Sequence, residues 1–101
     1  MKLNIAERVG LLGVLPEQGN FVTLRIVSDL RMALSFQQKE LDDFGIVIEG
    51  DQIRWKTDID TTADIKIPAA AKDIIVKRLK ELDAEEKLTP QTFPLYEKFA
   101  N

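Results

Sequence analysis

Between Ile46 and Lys56 the spacing of apolar residues changes from three or four to two, and this change restricts the chain to folds that mix helices with strands. Ile46-Val47-Ile48-Glu49 is short and β-branched, Gly50-Asp51 is a two-residue turn signal, and Gln52-Ile53-Arg54-Trp55-Lys56 alternates polar with apolar. The pattern predicts a β-hairpin with Ile53 and Trp55 on its buried face. Asp64-Ile65-Lys66-Ile67 alternates again. A third strand is expected there, because two strands alone are marginal in water.

The text on either side is helical. Asn4 and Glu7 have the spacing of a capping box, so a first helix is expected from Ile5 to about Leu12 with Ile5, Val9 and Leu12 on one face and Arg8 flanking it. Pro16-Glu17-Gln18-Gly19 reads as a turn, and Asn20 can cap a second helix over Phe21 to Leu34. Leu24, Val27, Leu30 and Leu34 form its stripe, widened by Phe21, Val22 and Ile26. Ser35 and Gln38 repeat the capping spacing for a third helix over Phe36 to Asp43, which Gly45 can end. Ala69 to Lys87 is the strongest helical text, with Ile74, Ile75, Leu79 and Leu82 as its stripe. Asp73 with Lys77, and Lys77 with Glu81, have ion-pair spacing along it. Pro94 would break a helix that began at Pro90, so the last helix is expected to start near Phe93. The reading is a single α+β domain over residues 1–101, a small antiparallel sheet covered by about five helices.

Neither cysteine nor histidine occurs, which removes disulfides, the usual zinc sites and the Ser/His/Asp and Cys/His catalytic arrangements. No glycine pattern suits a phosphate loop, and no cofactor is expected. The formal charge of −3 disfavours general nucleic-acid binding. Val9 to Leu15 is the longest nearly apolar stretch, far short of the roughly 20 residues that span a bilayer. No membrane partner is expected, and the default location is cytoplasmic.

Four groups of residues are candidates for function. Asp58, Asp60 and Asp64 begin with the spacing of a calcium loop, but Thr62, Ala63 and Ala69 stand where further ligands and the turn glycine belong, so a solvated loop is the expectation. Arg54, Trp55 and Lys56 interleave charge with an aromatic ring and could hold a nucleic-acid strand, against the simpler reading of an inward Trp55 between solvated cations. Lys72, Lys77, Arg78 and Lys80 could form a basic helix face, but nearby acids offset it and the order of helix and hairpin is wrong for a winged-helix reader. Phe93, Leu95, Tyr96 and Phe99 make an apolar chain end that must dock on its own domain, on a second copy or on another protein. The adjacent acids Asp42 and Asp43, or Glu85 and Glu86, point roughly 100° apart on a helix and cannot converge on one substrate atom.

The segments Asn4–Leu12 and Leu15–Phe21, the hairpin text Glu49–Trp55 and the ending Leu95–Phe99 resemble small uncharacterised proteins of bacteriophages and prophages. The resemblance implies a phage setting and carries no activity. The expected function is therefore non-enzymatic: a protein–protein interaction or self-associating accessory protein whose surface includes Phe93, Leu95, Tyr96 and Phe99. The alternative is a nucleic-acid-associated regulator using the hairpin and the long C-terminal helix.

Overall fold

The computed structural model describes residues 1–100 and is α+β. Its elements run β1 (Lys2–Leu3), α1 (Ile5–Val14), α2 (Phe21–Leu34), α3 (Gln38–Asp43), β2 (Val47–Glu49), β3 (Gln52–Arg54), β4 (Ala63–Asp64), α4 (Ala69–Ala84) and α5 (Phe93–Phe99). The capping box at the start of α1 forms as its spacing predicts: Glu7 N–H donates to Asn4 Oδ1 at 2.8 Å, and Asn4 N–H to Glu7 Oε1 at 2.9 Å. Asn20 caps α2 through Thr23 N–H at 2.8 Å. Pro94 lies in the first turn of α5, where its missing N–H costs nothing.

The hairpin pairs Val47 with Arg54 and Glu49 with Gln52 around Gly50, whose φ of +59° the tight turn requires. The expected third strand goes elsewhere. Ala63–Asp64 pairs antiparallel with Lys2–Leu3, so there are two two-stranded sheets rather than one of three. Leu3 and Ile65 are buried against helices, so the β1–β4 pair has an apolar cluster to seal. The hairpin does not. Val47 and Ile48 are exposed, Ile53 and Trp55 are only half-buried, and Trp55 lies outside the main apolar cluster. The expectation of a helix-roofed hairpin with Trp55 indoors is thus corrected: α1, α2, α4 and α5 pack mainly on one another around Leu11, Leu30, Ile75, Leu79 and Leu95, and the hairpin stands to one side.

The contact between α1 and α5 depends on Gly10. A Cβ there would come within 2.9 Å of Leu95 Cδ1, so the absent side chain sets how closely α5 approaches. Lys98 Nζ secures the same helix by donating to the Lys2 carbonyl at 2.8 Å and to Glu7 Oε2 at 2.9 Å.

Two helices end in the same way with different residues. After α3, Gly45 takes a φ of +61°, with Gly45 N–H donating to Asp42 O and Ile46 N–H to Leu41 O. After α4, Glu86 takes a φ of +57°, with Glu86 N–H donating to Asp83 O and Lys87 N–H to Leu82 O. This stop ends α4 at Ala84, short of the expected Lys87. A left-handed non-glycine residue costs roughly 1–2 kcal/mol, of which glycine's greater unfolded-state freedom takes back part, so Glu86→Gly is expected to stabilise the protein by about 0.5–1 kcal/mol. A urea titration reads this as a higher midpoint at unchanged slope; a lowered midpoint would rule it out.

Candidate interaction surface

The apolar chain end is largely spent on the chain's own core. Leu95 is 1% exposed and Phe99 is buried with it, Tyr96 packs against the same cluster, and only Phe93, at 55% exposure, faces outward. Of the interleaved cations, Arg54 faces Glu49 across the hairpin at 3.8 Å, and the stem of Lys56 lies over Gly45. Trp55 between them offers only part of its ring to a base.

Two of the three loop acids are already bonded within the chain. Asp60 accepts from Thr62 N–H at 2.9 Å and Thr62 Oγ1 at 2.7 Å, and those two donors hold its carboxyl below the usual range. Asp64 accepts from the Met1 ammonium at 2.9 Å, which lowers its value likewise. Among the described residues no three His, Cys, Asp or Glu side chains are grouped to hold a metal ion. On α4, Arg78 donates to Glu81 Oε2 and to the Val14 carbonyl, both at 3.3 Å. Among the described residues the expected Asp73–Lys77 and Lys77–Glu81 pairs do not form.

The largest departure from sequence expectation is on α2. Val27, Leu30 and Leu34 are buried as predicted, but Phe21 is 78% exposed and Val22 and Leu24 are also on the outside; Met32, which stands outside the predicted stripe, is 75% exposed. Seven residues of the stripe cannot all face one core, because a helix turns roughly 100° per residue. Phe21 and Met32 are eleven positions apart, about three turns, so both project from the same outward side. Exposed Arg25 and Ser28 lie between them on that side. Two depressions flank the helix. One, of about 670 Å³, is open and separates the start of α2 from Ile74, Lys77 and Arg78 of α4. The other, of about 370 Å³, is mostly apolar and lies between Ile26, Asp29 and Ala33 of α2 and Pro68 and Ala70.

The far end of α2 is fixed by a residue that sequence reading left at the edge of a stripe. Arg8 is 1% exposed, and every guanidinium nitrogen is used. Nε donates to the Leu34 carbonyl at 3.1 Å, Nη2 to the Ser35 carbonyl at 2.8 Å and Glu40 Oε1 at 3.2 Å, and Nη1 to Glu40 Oε2 at 2.6 Å. The Phe36 ring stacks 4.2 Å from the guanidinium carbon. Arg8 thereby satisfies carbonyls left open where α2 ends and ties α1, α2 and α3 together. Because Phe36 turns onto Arg8 and Glu40 caps the Gln37 N–H at 3.1 Å, α3 starts at Gln38 rather than at the expected Phe36. Hydrogen bonding from Arg8 holds the Glu40 carboxyl below its ordinary value of 4.5, against an opposing effect of burial.

No helix among the described residues is long and apolar enough to cross a membrane. Comparison with protein-family models, with curated proteins and with solved structures finds no match.

Proposed function

We propose that the chain is a non-enzymatic protein–protein interaction module that docks through the outward face of α2. The observation that supports this is the exposed pair Phe21 and Met32 on one side of α2, with exposed Leu24 and Val22 on its two flanks, on a helix whose opposite face is already buried. Scattered apolar residues are normal on a surface, but four gathered on the outward half of one helix resemble the anchors by which amphipathic helices meet a partner. As part of this proposal the module works in the cytoplasm as an accessory protein, in the phage setting that the resemblance implies. The nucleic-acid reading has less support, since Glu49 offsets Arg54 and Trp55 is partly covered.

A photoreactive benzoylphenylalanine in place of Phe21 tests the proposal in the producing cell, with the same group at exposed Lys80 as control. The expected result is a discrete protein adduct from position 21 that disappears with Met32→Asp and is absent from position 80. No adduct from position 21, or the same adducts from both positions, overturns the reading.

A further inference from the structure

The charges along α2 select among partners for its apolar face. Arg25 and Asp29 lie on the same flank of the line joining Phe21 to Met32, at the angles that one residue per roughly 100° gives them. Both are exposed, and among the described residues neither makes an ion pair. The apolar depression at Ile26, Ala33 and Pro68, which Lys66 also lines, lies further round, roughly 120–140° from Phe21 and outside the seam. A two-fold axis perpendicular to a helix pair matches each flank to its own copy with the direction reversed. When the axis is level with Ile26 and Val27, Phe21 of one copy comes level with Met32 of the other. Arg25 then falls within one residue of the partner's Asp29, about 1.5 Å along the axis. Charge and apolar groups are therefore self-complementary in one register.

We propose that α2 docks antiparallel on α2 of a second copy of this chain, with Phe21 against the partner's Met32 and two Arg25–Asp29 pairs fixing the register. The proposal rests on the reading of α2 as a docking face and names its occupant. A helix of 14 residues is about 21 Å long, so the contact falls below the standard interface of about 1,600 Å² and the dimer is weak and concentration-dependent. The exposed ion pairs set orientation more than strength.

Sedimentation equilibrium over a wide concentration range tests this, with circular dichroism confirming that each variant is folded. The wild-type mass is expected to rise towards twice 11.5 kDa, while Met32→Asp and Phe21→Asp remain at 11.5 kDa. Arg25→Asp places like charges together twice and should weaken association roughly tenfold, and the double swap Arg25→Asp with Asp29→Arg should restore most of it. A dimer indifferent to these four variants, or a swap that restores nothing, overturns the proposal. So does a monomer at every concentration. If that monomer still gives a Met32-dependent adduct with a different protein from position 21, the docking function stands and only the occupant is wrong; if it gives none, both fall.

Discussion

Arg8→Met lowers stability by about 3 kcal/mol, since removing one member of a buried, hydrogen-bonded ion pair typically costs 3–5 kcal/mol. For a chain of this size that is a fall in melting temperature of roughly 12–24 °C. Methionine keeps much of the volume, so the loss reports the guanidinium: the carbonyls of Leu34 and Ser35 lose their donor, and Glu40 loses its counter-charge. Arg8→Lys should recover only part, because an ammonium cannot reproduce the forked geometry that serves two carbonyls and both oxygens of one carboxylate. Thermal unfolding checks the series, and a loss under about 1 kcal/mol for Arg8→Met would show that the junction does not hold the helices together.

The same junction gives stability a pH dependence of known sign. Glu40 is held below its ordinary 4.5 in the folded chain, so it binds fewer protons there than in the unfolded chain at mildly acidic pH. Its contribution is complete above the unfolded value and disappears as pH falls through the lower folded value. The wild type should therefore lose stability more steeply than Arg8→Met on acidification below about pH 4.5.

Leu95→Ala is expected to cost about 3 kcal/mol, within the 2–5 kcal/mol usual for truncating a buried leucine, whereas Phe93→Ser two positions away should stay within about 0.5 kcal/mol of wild type. The two residues share a seven-residue helix and differ in what surrounds them: Leu95 closes on Gly10 of α1, and Phe93 faces solvent. Loosening α5 also frees Lys98 from Glu7 and the Lys2 carbonyl, so the loss should extend to the start of α1. Hydrogen exchange reads this as faster exchange in α1 and α5 with α3 little changed. Equal costs at the two positions would mean that α5 is not seated as described.

Much of the local structure was legible because local chemistry determines it. Asn20 and the turn before it place the start of α2, the Asn4–Glu7 pair places α1, and Gly50-Asp51 between β-branched runs gives the hairpin its register. What escaped depends on residues far apart in the chain. A two-residue strand at Lys2–Leu3 has no period to detect, and its partner Ala63–Asp64 has an equally plausible neighbour in the hairpin. Arg8 does sit between Ile5 and Leu12 at helical spacing, which is a signal, but a cation on that face is ordinarily taken as solvated, and Glu40, which makes burial tolerable, is 32 residues away. On α2 the apolar stripe was visible but too wide for one core. Which part stays outside depends on where α1 and α4 lie, and for that reason Phe21, Val22 and Leu24 face outward although they share the stripe.

The pairing of β1 with β4 also bears on how the chain is made. Leu3 is fully enclosed in the finished protein, yet the strand that pairs with it follows about sixty residues later. At roughly 5–20 residues per second on the ribosome, that interval leaves the first strand without its mate for about 3–12 s. Leu3 is thus obliged to wait as part of a loose, partly greasy thread. It is sealed only when Ala63–Asp64 follows it out, so a segment made some sixty residues ahead of its mate settles late.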